Sequence, residues 1–197
     1  MGKTKILDEM LEQNRGYLLT ADAVNKGISK TYLLEYVNKR KLERVAQGVY
    51  LSDDAWKDEL FFISIKNREV YFSNETALYL HDLMEREPTQ INVTVKKGYN
   101  ATHLRKKNIK VYQVREELFN LGKADIETAF GNRVKVYDRE RTICDIIKHK
   151  DKMDIQVFQT GIKEYMKSKG KDLTKLMIYA KEMGIEKQVR NYLEVML

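Results

Sequence analysis

The sequence predicts an α+β protein built from two parts, and three observations support this. Up to about residue 51 the chain carries three short helical patterns and then two strand-like runs. Between about residues 70 and 137, apolar and polar residues alternate as they do in half-buried strands. From residue 139 onward the periodicity is helical. We therefore expect an N-terminal domain at residues 1–52 and a C-terminal α+β domain at residues 55–197, with a small antiparallel sheet and a helical C-terminus.

The composition indicates a folded protein with a polyanionic partner. Hydrophobic residues make up 43% of the 197 residues, and the net charge is +7. A basic balance favours nucleic acid or an anionic membrane face. No apolar run reaches the roughly 18 residues of a transmembrane helix, and the first residues do not resemble a signal peptide. A single cysteine fits a reducing compartment, so we expect a cytoplasmic protein without a membrane partner.

Three helices are predicted at the N-terminus. Residues 3–14 place their apolar residues on one face. Thr20 is predicted to cap a short helix at residues 21–25. Ser29 is predicted to cap a third helix at residues 30–40.

The third helix is followed by a predicted hairpin. Its strand-like runs lie at residues 42–45 and 49–51, and Gly48 supplies the backbone freedom of the turn. The second and third helices are separated by a short turn around Gly27 and Ile28, which is the spacing of a helix-turn-helix. The hairpin stands where a wing would be, so residues 1–52 are predicted to form a winged helix-turn-helix.

The remaining elements are predicted in chain order. Helices are expected at residues 55–66, 73–83, 139–149, 154–168, 172–183 and 186–196. Strands are expected at residues 70–72, 91–95, 109–114, 126–130 and 133–137, the last two turning at Gly131-Asn132.

The helix-turn-helix predicts a DNA-binding surface. In this motif the second of the two helices lies in the major groove with its N-terminal residues on base edges. The residues expected to reach bases are Ser29, Lys30, Thr31 and Tyr32, with Leu34 and Glu35 further along the helix. The cations expected to bind phosphates are Lys39, Arg40, Lys41 and Arg44. Gln47, at the tip of the hairpin, is expected to reach the minor groove.

A second basic segment lies outside this domain. Residues 96–115 contain seven Lys and Arg and no Asp or Glu. The additional phosphate contacts predicted here are Lys96, Lys97, Arg105, Lys106 and Lys107. The alternative, a solvated basic loop without a partner, stays open at this stage.

No catalytic motif is present in the sequence. Cys144 lies in an apolar helical stretch and is expected to act as a small buried hydrophobe. Asp138, Glu140 and Asp145 could suggest a metal site, but Asp138 is better explained as a helix cap. We expect no catalytic residue, metal or cofactor, and a binding protein rather than an enzyme.

Four segments, taken in order, resemble the AbiEi antitoxin family over nearly the whole chain. They are Leu42–Tyr50 (LERVAQGVY) after Ile28-Ser29, Ser73–Leu83 (SNETALYLHDL), Ile91–Val95 followed by Gly98-Tyr99-Asn100, and Val136–Asp145 (VYDRERTICD). Two positions depart from the family pattern. Arg40 stands where members commonly carry glycine, and Ala46-Gln47-Gly48 lacks the arginine that many relatives have beside the glycine.

The resemblance implies the antitoxin of a type IV toxin–antitoxin system linked to abortive infection and phage resistance. Such antitoxins act as autoregulating transcription repressors that bind inverted repeats in double-stranded operator DNA. They counter a nucleotidyltransferase-like toxin without forming a stable complex with it. In this family the N-terminal domain carries DNA binding, and the C-terminal domain is tied to antitoxicity and assists repression.

Two rival functions remain open. The first is a free-standing winged-helix transcriptional regulator whose C-terminal domain binds an effector. The second is a nucleic-acid-processing enzyme with a DNA-targeting module, for which metal-dependent cleavage would be the test. A co-encoded nucleotidyltransferase would favour the antitoxin, and an isolated gene would favour the free-standing regulator.

Overall fold

The computed structural model describes residues 2–196 and has the expected α+β class. The chain divides into two compact units. The first unit comprises the chain up to Glu59 together with Ala129–Asn132, and the second comprises Leu60–Thr128 and the chain from Arg133 onward. No helix of the described residues is long and apolar enough to cross a membrane.

The first unit has the element order of a winged helix. Its elements are α1 (Lys3–Gln13), β1 (Tyr17–Leu19), α2 (Thr20–Asn25), α3 (Lys30–Arg40), β2 (Glu43–Ala46) and β3 (Val49–Leu51). The three strands form an antiparallel sheet in the order β1-β3-β2. The apolar faces of the three helices pack over one core with the sheet residues Leu18 and Tyr50. The three helices and the hairpin were predicted, whereas β1 was not.

Two predictions for this unit are wrong in detail. Thr20 is the first helical residue of α2, and Leu19 holds the cap position without a side-chain hydrogen bond. The reason is that β1 runs directly into α2, and the Thr20 amide donates to the Gly48 carbonyl instead. The helix expected from residue 55 begins only at Glu59, since the Asp58 amide donates to the Tyr17 hydroxyl at 2.8 Å.

The second unit combines one sheet with a group of helices. Its helices are α4 (Glu59–Lys66), α5 (Asn74–Leu80), α6 (Thr102–Arg105), α7 (Glu116–Asn120), α8 (Arg139–Lys148), α9 (Ile155–Lys167), α10 (Leu173–Glu182) and α11 (Glu186–Met196). Its strands are β4 (Tyr71–Phe72), β5 (Asn92–Lys96), β6 (Lys110–Val114), β7 (Lys123–Glu127) and β8 (Arg133–Tyr137). The short helices α6 and α7 were not predicted, and β7 begins three residues before the expected start.

The sheet is mixed, so the predicted small antiparallel sheet is corrected. Its order is β6-β5-β4-β8-β7. β5 pairs with β6 in parallel, and β4 pairs with β8 in parallel, while the other two pairings are antiparallel. Parallel neighbours need a crossover of about a dozen residues, and the segment that contains α6 supplies it between β5 and β6.

Helix α8 is the centre of the second unit, because all its residues from Glu140 to Ile147 are buried. Arg141 is completely buried on this helix and forms an ion pair with Asp145 at 3.1 Å. Its guanidinium also donates to the carbonyls of Leu118 and Leu121. Arg141 therefore ties the end of α7 to α8.

We expect Arg141→Ala to lower the free energy of unfolding by about 3–5 kcal/mol, because it leaves the Asp145 carboxylate buried and unpaired. The exposed Lys148→Ala on the same helix is the matched control, with an expected change within about 0.5 kcal/mol. Urea unfolding followed by circular dichroism measures both. Equal midpoints for the two variants would contradict a structural role of the buried pair.

Candidate nucleic-acid interface

The turn between α2 and α3 is well defined. Gly27 adopts the left-handed conformation with φ of 80°, and Ile28 is buried. The Ile28 amide donates to the Ala23 carbonyl at 3.0 Å. Ser29 caps α3 as predicted, and its hydroxyl accepts from the Tyr32 amide at 3.3 Å. These bonds fix the direction of α3 relative to α2.

Helix α3 has one buried face and one outward face. Leu33, Tyr36 and Val37 are buried against the core of the unit. The residues on the opposite face are all exposed, namely Thr31, Leu34, Glu35 and Asn38. We call these four residues the outward face of α3. Lys30, at the start of the helix, is exposed beside it.

Asn38 is a member of the outward face that the prediction from sequence omitted. The signal was available, since Asn38 lies seven residues after Thr31 and four after Leu34, which is one side of a helix. The residues predicted from the sequence end at Glu35. The outward face extends to its last turn.

Tyr32 lies towards α1 rather than on the outward face. Its hydroxyl is 2.7 Å from Thr4 Oγ1, and the Lys3 ammonium lies 5.5 Å from the centre of its ring. The expected contact between Tyr32 and a base is therefore not the arrangement of the free protein. Lys3, which the sequence reasoning did not single out, is held near the N-terminal half of α3.

Arg40 is also bound to α1. Its guanidinium donates to Asp8 Oδ1 at 2.5 Å, and the Tyr36 hydroxyl donates to the same oxygen at 2.5 Å. The bond from Tyr36 holds the pKa of Asp8 below the usual value for aspartate. Burial and the bond to Asp8 together raise the pKa of Tyr36 to about 12. Arg40, predicted to bind phosphate, here joins the end of α3 to α1.

The remaining cations of the predicted cluster are exposed. Lys39, Lys41 and Arg44 all present their side chains to solvent at the end of α3 and the start of β2. Lys41 has a φ of 55°, a left-handed conformation that favours glycine, and it closes the helix. We call Lys39, Lys41 and Arg44 the basic cluster.

The wing is short and is held at its tip. Only Gln47 and Gly48 separate β2 from β3, and a bulge interrupts the pairing near Val45. Gly48 has a φ of 71°, and its carbonyl accepts from the Thr20 amide at 2.9 Å. Gln47 is exposed at the tip, where the prediction places it.

Positive charge is local in the first unit. Its residues contain ten Lys and Arg and ten Asp and Glu, so the whole excess of +7 belongs to the second unit. Three of the acidic residues of the first unit lie on α1, whereas the basic cluster lies at the end of α3 and the start of β2. Any attraction between this unit and a polyanion must therefore come from local groups of cations, such as the basic cluster, and not from overall charge.

The basic stretch of the second unit is partly neutralised. Lys96 pairs with Glu116 at 2.7 Å, and the Lys107 ammonium lies over the Phe62 ring at 5.3 Å. Lys97, Arg105 and Lys106 are exposed. The acidic partner Glu116 follows directly after the basic segment at residues 96–115. Phosphate binding by this stretch stays a prediction.

The residues considered for catalysis have structural partners. Cys144 is buried, its thiol donates to the Leu176 carbonyl, and burial raises its pKa to about 12. Asp138 caps α8 by accepting from the Arg141 amide at 2.8 Å. Among the described residues, no group of three or more His, Cys, Asp or Glu is placed to hold a metal ion.

Comparisons with solved structures show a likeness of fold. No family model and no curated protein matches the chain. The crystal structure of the RV2827C protein from Mycobacterium tuberculosis is similar at 8% sequence identity, with a TM-score of 0.48. The match covers 96% of this chain and 79% of that chain.

We expect Asp8→Asn to destabilise the protein by about 1 kcal/mol or less at pH 7, because the pair with Arg40 is partly exposed. The folded-state pKa of Asp8 is lowered, so its contribution is fully present above 3.8 and is lost as the pH falls through the folded-state pKa. The difference between wild type and variant should therefore shrink between pH 5 and pH 2.

Urea unfolding at several pH values measures this difference. Glu12→Gln, an exposed change on the same helix, is the control and should show little difference at any of these pH values. A difference for Asp8→Asn that stays constant down to pH 2 would contradict the assignment of the pKa shift to the bonds with Tyr36 and Arg40.

Proposed function

We propose that this protein is a cytoplasmic DNA-binding repressor of its own operon and the antitoxin of an AbiEi-type system. The observation that carries the DNA-binding half is the outward face of α3, which lies in a winged helix beside the basic cluster. A helix of this kind enters the major groove, and cations at its end bind the flanking phosphates. The antitoxin half rests on the four sequence segments that resemble the AbiEi family.

The operator geometry follows from this mode of binding. Two copies would occupy an inverted repeat, with half-sites about one helical turn, or a multiple of it, apart. Because the first unit has no net charge, its affinity for DNA comes from the few cations of the basic cluster. The salt dependence contributed by this unit should therefore be modest.

The first test is a gel-shift titration on the DNA upstream of the protein's own gene, at several salt concentrations, against an unrelated duplex. We expect tight specific binding. Lys41→Ala and Arg44→Ala should each weaken it and reduce the slope of log affinity against log salt by about one.

The matched control is Lys187→Ala, which removes one exposed cation from α11 in the second unit. It should leave affinity and slope unchanged. The double variant Lys97→Glu and Lys106→Glu tests the basic stretch in the same titration. An unchanged slope of log affinity against log salt would show that this stretch does not bind phosphates. Binding no tighter than to the unrelated duplex would overturn the autorepressor proposal.

The antitoxin half predicts rescue of growth. Expression of a co-encoded nucleotidyltransferase-like toxin should arrest growth, and co-expression of this chain should restore it. The Arg44→Ala variant should still restore growth if antitoxicity belongs to the second unit and is separate from operator binding. Pull-down from the rescued cells should recover no stable complex. Failure of the wild-type chain to rescue would overturn this half and leave a repressor.

A cleft in the second unit favours one alternative, a regulator with an effector. The cleft measures about 480 Å³ and is lined by residues that include Glu75, Asn92, Lys110 and Lys152. Asn92 is buried, and its Oδ1 has no hydrogen-bond partner among the described residues. A small polar ligand could bind here. Operator affinity that depends on an added metabolite would support this alternative.

A further inference from the structure

The outward face of α3 has a composition that distinguishes between base pairs. Thr31, Leu34, Glu35 and Asn38 together offer a methyl-bearing hydroxyl, an alkyl group, a carboxylate and an amide. None of the four is arginine or lysine, although Arg or Lys on guanine is the commonest specific contact in the major groove. Lys30 is exposed beside this face in the first turn, and the basic cluster lies at the other end of the helix.

Leu34 lies on the outward face with 49% of its surface exposed. A single exposed leucine is ordinary on a protein surface and carries no argument by itself. Here it lies between Thr31 and Asn38 on the side of α3 that points away from the core. The apolar feature that a major groove offers to such a side chain is the 5-methyl group of thymine.

The two polar neighbours of Leu34 suit different bases. The amide of Asn38 matches the N6 donor and N7 acceptor of adenine. The carboxylate of Glu35 accepts hydrogen bonds only, so it suits the N4 donor of cytosine in a neighbouring base pair and not the guanine acceptors N7 and O6. The outward face therefore combines two groups that suit an A·T pair, Leu34 and Asn38, with one carboxylate that suits cytosine.

We propose that α3 reads A·T base pairs, with Leu34 on a thymine methyl group and Asn38 on an adjacent adenine. This inference rests on the proposed function, because it needs α3 to lie in the major groove. It adds the chemical class of the half-site and two specificity-determining residues, of which Asn38 was not among the residues predicted from sequence.

The experiment compares the upstream duplex containing thymine with the same duplex made with deoxyuridine, which lacks only the 5-methyl group. We expect wild-type protein to bind the uracil duplex more weakly by about fourfold for each methyl contact that is lost. Leu34→Ala should bind the thymine duplex more weakly and should show no preference between the two duplexes. Asn38→Ala should keep the preference for thymine but lose its sensitivity to 7-deazaadenine.

Ile178→Ala is the matched control, since Ile178 is 55% exposed on α10 of the second unit. It should behave as wild type on both duplexes. Because Leu34 is exposed, its variant should unfold at the wild-type urea concentration, which separates a lost contact from a lost fold.

The outcomes separate the two proposals. Tight specific binding that is indifferent to uracil and unchanged by Leu34→Ala would overturn the inference and leave the proposed repressor function standing. Binding no tighter than to an unrelated duplex would overturn the proposed function, and the inference with it.

Discussion

The packing of α3 against α1 decides what the winged unit can present. Leu33, Tyr36 and Val37 are buried, so the residues on the opposite side of the helix must face outward. Asp8 strengthens this arrangement by accepting from both Tyr36 and Arg40. The helix α3 cannot rotate about its own axis without exposing this apolar face or breaking these hydrogen bonds. The choice of outward residues is therefore a consequence of core packing.

Charge is divided unevenly between the two units. The first unit is neutral overall, and a neutral unit gains little from long-range attraction to a polyanion. Its basic cluster can position α3 on phosphates without holding the protein strongly on any sequence. The excess charge belongs to the second unit, where Lys96 and Lys107 already have partners. Under the proposed function, discrimination between DNA sequences would therefore depend mainly on the outward face of α3.

Local patterns in the sequence were sufficient to predict most helices. Features that depend on contacts distant in sequence, such as the direction of strand pairing, could not be predicted. Ser29 and Asp138 each accept from the backbone amide expected of a helix cap, so both helix starts were predictable. The alternation of β5 and β6 indicates strands but contains nothing about their mutual direction, which the crossover through α6 determines. β1 has three buried residues and no alternation, so its pattern gave no strand signal.

The candidate site shows the same division. The basic cluster is visible in the sequence because its cations are close together, but the directions of Tyr32 and Arg40 depend on α1, which lies about thirty residues away. In the free protein α1 holds both side chains, so their contacts with DNA stay predictions. The Arg40 side chain forms an ion pair with Asp8 that glycine could not form. Thr31, Leu34 and Asn38 have no such tie to α1 among the contacts described and stay exposed on the outward face.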